Sequence, residues 1–285
     1  MVIPSLPLDP KGEGVVNRLI ETGRGLLAVE VTGNGPDLLL LHSLLTDRTA
    51  FDPIVPALSE KWRVNKVALP GFGASTRVDP TMDAYADSIG ALLVEGDYDP
   101  ASTAILGNGF GGFVALGTAV RHGDRFDRLV LLGCGTGFEP EAARAFDIMS
   151  EKVAAGGMSA VVDLAIRRIF TEDYLIAHPA EEATRRQVLL RTDPESFQSA
   201  CRALRSVDYS GRVAGVHNPT LVVVGSEDQA TPPAMGEKLA ARLSAATFSL
   251  LPGLAHAPHL QDPRALLEAL AGFLGAGGFD REKGS

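Results

Sequence analysis

The sequence predicts an α/β fold, namely a mainly parallel, doubly wound sheet with helices on both faces and a helical segment inserted after the sixth strand. Short apolar runs typical of buried strands alternate along the chain with segments whose apolar residues recur at helical spacing. This alternation predicts parallel strands joined by helical crossovers. Between residues 135 and 212 the strand signals stop and Ala, Arg, Glu and Leu recur at helical spacing, after which the alternation resumes.

The elements follow from local patterns in chain order. A Thr22-Gly23-Arg24-Gly25 turn joins the first two strands, and the third run is wholly apolar, as in a strand buried on both faces. The predicted strands are 15–20, 26–31, 38–41, 64–69, 103–106, 129–132, 220–224 and 247–250. The predicted helices outside the insertion are 51–59, 85–94, 113–120, 233–243 and 263–274. The pattern therefore predicts a core domain of residues 1–134 and 213–285 and a helical cap, or lid, of residues 135–212.

Composition and charge indicate an ordinary globular protein. The chain has 285 residues, of which 45% are hydrophobic and 21% charged, and this length can bury a large core without disulfides or metals. The net charge of −9 argues against nucleic-acid and anionic-membrane partners, which require basic patches. No apolar stretch has the length of a membrane helix, and residues 1–10 are not expected to form a signal peptide. We therefore expect a cytoplasmic protein with reduced Cys134 and Cys201.

Residues with catalytic potential follow the predicted strands at their carboxyl ends, where open α/β sheets bind ligands. The segments concerned are HSLLTD (42–47) after strand 38–41, GNGFGG (107–112) after strand 103–106, GSED (225–228) after strand 220–224, and PGLAH (252–256) after strand 247–250. An acid after one late strand and a histidine after the next is the order in which α/β-hydrolases carry these two members of their catalytic triad. Asp228 and His256 fit that order, and Glu227 is the alternative acid.

The arrangement resembles the α/β-hydrolase superfamily over nearly the whole chain, and within it the 3-oxoadipate enol-lactonase and esterase group. HSLLTD (42–47) is similar to that group's oxyanion loop. Shorter matches occur through the insertion in the expected order, in AGGM (155–158), HP (178–179), TDPE (192–195), Cys201 and AL (203–204). The resemblance implies that His256 is the catalytic base, that Asp228 orients it, and that the backbone N–H groups of Leu44 and Phe110 form the oxyanion hole.

The resemblance also carries expectations about the substrate and the assembly. It implies small lactone or ester substrates, with Ser43 and Phe170 in contact with them, and a homodimer is one expected assembly. One or two of the cap arginines are expected to face the cleft and bind a substrate carboxylate, and the rest to be solvated. The arginines concerned are Arg144, Arg167, Arg168 and Arg202.

One residue departs from the family pattern. The nucleophile elbow reads G-x-S-x-G, but residues 107–111 read GNGFG, so Gly109 stands in the serine position and cannot hold an acyl group. We expect His256 to act on water in the space left beside it, with the oxyanion donors, on a small lactone, ester or other carbonyl compound and without an acyl-enzyme. Ser43 and Cys134 are not expected to serve as replacement nucleophiles, because the first belongs to the oxyanion loop and the second fits a buried structural thiol.

Alternative functions stay open on the sequence alone. The alternatives are a lyase, isomerase or cyclase, a non-catalytic binding protein, and an ordinary lactonase or esterase disabled by a natural or engineered serine-to-glycine replacement. His42 is expected to pack at its strand end and His259 to lie on the surface. The histidines lack metal-ligand spacing and no dinucleotide motif is present, so neither a metal nor another cofactor is expected.

Overall fold

The computed structural model describes residues 14–275 and contains one eight-stranded sheet. The strand order is β1-β2-β4-β3-β5-β6-β7-β8. β2 pairs antiparallel with β1 and with β4, and all other neighbours are parallel. The strands are β1 (Val16–Thr22), β2 (Gly25–Thr32), β3 (Asp37–Leu41), β4 (Arg63–Val67), β5 (Ala104–Asn108), β6 (Arg128–Leu132), β7 (Thr220–Gly225) and β8 (Ala246–Leu251). The predicted mainly parallel α/β fold is confirmed.

Helices cover both faces of this sheet. Those of the described chain are α1 (Val55–Ser59), α2 (Met82–Glu95), α3 (Phe110–His122), α4 (Pro140–Gly156), α5 (Val162–Ile169), α6 (Glu172–Ala177), α7 (Pro179–Arg191), α8 (Pro194–Arg205), α9 (Pro233–Ala240), α10 (Pro258–Gln261) and α11 (Pro263–Leu274). The helix predicted at 51–59 is instead a 3₁₀ turn at Arg48–Phe51 followed by α1. Pro53 lies between them, and proline has no N–H for a continuous helix. The prediction for residues 1–10 lies outside the described residues.

The central strands are buried on both faces, as their uninterrupted apolar sequences predict. Leu39 and Leu41 of β3 belong to the larger hydrophobic cluster, whereas Leu38 and Leu40 belong to a second cluster on the other face. This division follows from the two-residue repeat of a strand, which points successive side chains to opposite faces. No helix within residues 14–275 combines the length and apolar character needed to cross a membrane.

The chain between β6 and β7 forms five consecutive helices, α4 to α8. The ends of this segment lie side by side, because Gly137 forms an antiparallel bridge with Asp208 and the Tyr209 N–H donates to the Thr136 carbonyl at 2.6 Å. α4 and α8 contribute Phe146, Met149 and Phe197 to the larger hydrophobic cluster. The helical content agrees with the sequence pattern, and the division into a core and a cap domain stays a prediction.

Candidate active site

The candidate site lies at the carboxyl ends of five strands that are neighbours in the sheet, β3, β5, β6, β7 and β8. The residues that follow these strands include, in the same order, Ser43, Gly109, Gly133, Asp228 and His256. Because the strands are parallel and adjacent, their following loops meet at one edge of the sheet. The structure thus brings together the acid, the histidine and the elbow position that the sequence placed far apart.

Gly109 keeps the shape of a nucleophile elbow. Its backbone angles are φ +52° and ψ −116°, a region that residues other than glycine adopt only with strain. The Gly109 N–H donates to the Leu132 carbonyl at 2.9 Å, and the Gly109 carbonyl accepts the Phe113 N–H at 3.0 Å at the start of α3. The turn is therefore held in the strained conformation although residue 109 has no side chain to present.

His256 and Asp228 form a buried pair. His256 Nδ1 lies 2.9 Å from Asp228 Oδ2, and the two side chains are 6% and 1% exposed. Asp228 also accepts the Thr231 hydroxyl at 2.7 Å and the backbone N–H groups of Ala230 and Thr231 at 2.8 and 2.9 Å. Burial raises the pKa of Asp228, but the charge of His256 and the hydrogen bonds from His256 and Thr231 outweigh it and hold that pKa below its ordinary value.

The ionised carboxylate fixes the orientation of the His256 ring and, in the neutral form of the ring, its tautomer. Asp228 can only accept a hydrogen bond, so Nδ1 of His256 carries the ring proton and donates it. Nε2 then presents a lone pair toward the elbow. A neutral imidazole held this way is suited to remove a proton from a group next to Nε2.

Two further residues hold this pair in place, and the sequence analysis did not identify them. Asn108 Nδ2 donates to the His256 carbonyl at 2.9 Å, which ties the histidine loop to the end of β5. Gly133, with φ +55°, lies against the pair, since a Cβ there would be 2.9 Å from Asp228 Oδ2 and 3.0 Å from His256 Nδ1. The elbow motif gives the position of Asn108, and Gly133 directly follows a predicted strand, but neither pattern states a contact with the histidine.

Ser43 is the hydroxyl-bearing residue closest to the reactive side of His256. Its Oγ lies 3.4 Å from His256 Nε2, and the residue is 2% exposed. A Cβ built on Gly109 would lie 2.5 Å from both Ser43 Oγ and His256 Nε2. The expectation that glycine leaves an open space beside His256 is therefore wrong in this respect, because the Ser43 hydroxyl and the imidazole already occupy the space where an elbow side chain would begin.

A small cavity of about 40 Å³ adjoins these groups. Leu44 and Phe110, the expected oxyanion donors, both line it. Phe110 is the first residue of α3, so its N–H has no acceptor within the helix, and no acceptor for the Leu44 N–H is found within residues 14–275. Both N–H groups are thus free to bind an oxygen. The remaining lining is Ser43, Leu45, Gly109, Phe113, Phe138, Phe146, Met149, Arg168, Leu204, Ala230, Thr231 and His256.

A wider cleft of about 700 Å³ shares four lining residues with this cavity and adjoins it beneath α4. The shared residues are Phe138, Phe146, Arg168 and Ala230. Arg168 is half-buried and forms no ion pair with another residue of 14–275. Arg144 also lines the cleft, whereas Arg167 and Arg202 line neither space.

Three residues discussed from the sequence, His42, Cys134 and Phe170, are buried in packing or hydrogen-bonding environments. His42 packs at its strand end as predicted, where its Nε2 accepts the Leu69 N–H at 3.1 Å. Cys134 is buried, and burial raises the pKa of its thiol. Phe170 is buried and stacks on Tyr174 with ring centres 4.9 Å apart, and it does not line the cavity beside His256.

The prediction that His259 lies on the surface is wrong. The residue is fully buried in α10 and stacks on Phe51 with ring centres 4.9 Å apart. Neither ring nitrogen has a hydrogen-bond partner in the part of the chain that the structure describes. Burial, together with the charges of His256 and Arg185, lowers the pKa of His259 to about 3. His259 is therefore a neutral packing residue at ordinary pH, with no partner that would suit it to catalysis.

The sheet order and the loops at its strand ends are those of an α/β-hydrolase fold. Residues 38–269 match the model of the alpha/beta hydrolase family, and the chain belongs to that family. It is 28% identical, over 82% of its own length and 94% of the relative's, to the pimeloyl-acyl-carrier-protein methyl ester esterase of Nitrosomonas europaea. It is 25% identical to 3-oxoadipate enol-lactonase 1 of Acinetobacter baylyi over 87% of this chain and 92% of that one.

Solved structures agree with this placement. The enol-lactonase from Burkholderia xenovorans LB400 superimposes with a TM-score of 0.83 and 27% identity, covering 90% of this chain and all of that one. A thermophilic esterase from Thermogutta terrifontis gives a TM-score of 0.83 at 27% identity, covering 92% and 99% of the two chains. The homologues thus include esterases and enol-lactonases, which supports a hydrolase-like enzyme in general terms.

Proposed function

We propose that this protein acts on small ester, lactone or related carbonyl compounds, with His256 as general base, Asp228 as its orienting partner and no acyl group carried at position 109. The observation that carries the proposal is the orientation of His256. Its Nδ1 is committed to Asp228 at 2.9 Å, while its Nε2 faces the cavity lined by Leu44 and Phe110. A base and two backbone donors around one small space are what attack on a carbonyl requires.

The surviving groups are sufficient for measurable catalysis. A positioned general base contributes roughly 10²–10⁴-fold, and a single oxyanion donor contributes roughly 10²–10³-fold. Neither contribution depends on a side chain at residue 109, because the donors are backbone N–H groups. His256 can deprotonate two kinds of hydroxyl here, either a water admitted to the 40 Å³ cavity or the Ser43 side chain.

The substrate class follows from the lining of the site. The inner cavity is small and mostly apolar, which favours a short acyl group. Arg168 reaches both the inner cavity and the outer cleft without an ion-pair partner among the described residues, so it supports recognition of a substrate carboxylate. The relatives' names, a methyl ester esterase and an enol-lactonase, both indicate attack on an acyl carbonyl.

The proposal is tested by turnover of p-nitrophenyl acetate and of simple enol-lactones, with and without a terminal carboxylate. We expect slow turnover by the unmodified chain and its loss, by roughly 100-fold or more, in His256→Ala. His217→Ala is the matched control, because His217 is exposed and lies outside the cavity. Equal turnover by the unmodified chain and His256→Ala would reject the mechanism, and ligand binding without any reaction would identify a non-catalytic binding protein.

Proton abstraction from carbon is a second candidate, favoured by the replacement of serine while the base and the oxyanion donors are kept. The same two N–H groups that stabilise a tetrahedral oxyanion also stabilise an enolate. A lyase, isomerase or cyclase would exchange the acidic hydrogen of a bound ketone with deuterated water in a His256-dependent way and release no alcohol. Ester or lactone cleavage without such exchange would decide against this candidate.

A further inference from the structure

We infer that Ser43 supplies the attacking hydroxyl, so that Ser43, His256 and Asp228 form a relocated catalytic triad on this elbow-glycine chain. The inference rests on the proposed function and names the nucleophile for it. Its basis is one juxtaposition: Ser43 Oγ lies 3.4 Å from His256 Nε2, while His256 Nδ1 is bound to Asp228 at 2.9 Å. A triad is recognised by geometry and roles, not by the position of its members in the sequence.

The position of the hydroxyl supports this role. A Cβ on residue 109 would lie 2.5 Å from Ser43 Oγ, so the serine hydroxyl reaches the place from which an elbow side chain would project. The lone pair of His256 Nε2 faces that place, and the Ser43 hydroxyl can donate to it. Ser43 is therefore placed relative to His256 as a nucleophile is placed relative to its base, although Ser43 belongs to the loop after β3 and not to the elbow after β5.

The backbone of Ser43 is fixed on both sides, as a nucleophile requires. Its N–H donates to Thr46 Oγ1 at 3.2 Å. Its carbonyl lies 2.9 Å from His42 Nδ1, and His42 Nε2 accepts the Leu69 N–H, so Nδ1 carries the proton and donates to Ser43. His42 does not line the cavity, and through this hydrogen bond it acts as a positioning residue for the backbone of Ser43.

The oxyanion donors fit the same assignment. In α/β-hydrolases one donor is the N–H of the residue that follows the nucleophile. Leu44 directly follows Ser43, and Phe110 directly follows Gly109, so each of the two donors is adjacent to one of the two positions. Both residues line the cavity that Ser43 also lines.

The reaction balances without any group beyond water. Ser43 Oγ bonds to the acyl carbon as His256 Nε2 takes the hydroxyl proton, and the carbonyl electron pair moves onto the oxygen held by the Leu44 and Phe110 N–H groups. When that pair returns, the bond to the leaving alcohol breaks and the alcohol receives the proton from Nε2. Water then attacks the acyl-Ser43 ester, giving its proton to Nε2, which returns one to Ser43 Oγ as the acid is released.

The test combines covalent capture with turnover on the full chain. Incubation with a fluorophosphonate, or acid quenching during p-nitrophenyl acetate turnover, followed by peptide mass spectrometry should place the adduct on Ser43. Ser43→Ala should lose the adduct and at least 100-fold in turnover, and His256→Ala should label at least 100-fold more slowly. Ser88→Ala is the matched control, since Ser88 is a buried serine on α2 outside the cavity.

A conservative replacement separates chemistry from folding. Ser43→Cys keeps a nucleophile of similar size, so it should keep the burst of p-nitrophenol and carry the acyl group as a thioester. Loss of turnover in Ser43→Ala with retention of the burst in Ser43→Cys supports the inference. His256-dependent turnover that persists in Ser43→Ala with no adduct on Ser43 would overturn it in favour of water attack and leave the proposed function standing. Absence of any His256-dependent reaction would instead remove the proposed function itself.

Discussion

The histidine side of the site (Asp228, Thr231 and His256) and its elbow side (Gly109 and Ser43) differ in how many hydrogen bonds hold their polar groups. On the histidine side, Asp228 receives hydrogen bonds from His256, Thr231 and the backbone, and Asn108 holds the histidine loop. On the elbow side, Gly109 keeps a strained turn without a side chain, and the contact with His256 comes from Ser43 of another loop at a longer 3.4 Å. A buried carboxylate such as that of Asp228 is stable only while its hydrogen-bond partners are kept. The polar groups on the histidine side are therefore held by several hydrogen bonds, whereas the elbow side offers His256 one longer contact.

The largest effect is expected from a substitution that separates Asp228 from His256 on the histidine side. Gly133→Ala adds a methyl group 2.8 to 3.0 Å from Thr231 Oγ1, Asp228 Oδ2 and His256 Nδ1, so these atoms must separate. We expect p-nitrophenyl acetate turnover to fall by roughly 100-fold or more, because that is the contribution of an aligned general base.

The control for this variant is Gly157→Ala. Gly157 has φ +68°, close to the +55° of Gly133, but an added Cβ there meets nothing within 4 Å. It therefore carries the backbone strain of the substitution without the clash. If both variants lost activity equally, backbone strain and not alignment of the pair would be the cause.

The second-largest effect is expected from a substitution of Gly109 on the elbow side. Gly109→Ser returns a hydroxyl to the turn but places a side chain at φ +52°, ψ −116°, where strain costs about 1–3 kcal/mol. We expect an acyl burst with p-nitrophenyl acetate, with the acyl group on the introduced side chain, together with a lower free energy of unfolding. Urea denaturation followed by circular dichroism measures the second quantity.

The elbow variant also has a matched control in Gly157→Ser, which shares the left-handed backbone and has nothing within 4 Å of an added Cβ. It should lose stability without any acyl adduct on residue 157. A Gly109→Ser enzyme without an acyl adduct on residue 109 would show that His256 and Ser43 do not move away from the positions, 2.5 Å from the added Cβ, that the new side chain needs. That result would mean that His256 and Ser43 leave no room for a nucleophile at the elbow.

Most of the fold was predictable because it follows from local patterns. Strands buried on both faces give uninterrupted apolar runs such as 38–41, and the change of pattern at 135–212 marks the helices between β6 and β7. The pairing of Asp228 with His256 follows from their places after adjacent late strands. These features depend on sequence spacing and on the topology of parallel sheets.

The contacts across the site were not predictable in the same way. The approach of Ser43 to His256 joins residues 213 positions apart and depends on how the turn at 44–45 orients one side chain. The support from Thr231 depends on a side-chain rotamer, and the role of Gly133 depends on a missing Cβ, and neither leaves a periodic signal. The burial of His259 was missed because α10 is only four residues long and packs on the 3₁₀ turn at Arg48–Phe51.

The smallest expected effect separates two histidines that lie three residues apart. His256 has Asp228 on one nitrogen and Ser43 near the other, whereas both nitrogens of buried His259 lack partners among the described residues. The folded-state pKa of His259, about 3, is below its ordinary value of roughly 6.5, so the unfolded chain binds more protons between these two pH values. Stability should therefore fall as the pH is lowered from about 6.5, by up to roughly 1.4 kcal/mol per pH unit from this residue.

His259→Phe tests that contribution directly. Phenylalanine can keep the stacking on Phe51, removes two unpaired buried nitrogens and cannot be protonated, so we expect about 1 kcal/mol more stability at pH 7. The gain should widen between pH 6 and pH 5 in urea titrations, with the exposed-site variant His217→Gln measured alongside as a control. If the free energies of unfolding of His259→Phe and of the unmodified chain changed in parallel with pH, a hydrogen-bond acceptor would stabilise protonated His259 in the folded protein. The two histidines would then not differ in the way that assigns catalysis to His256 and packing to His259.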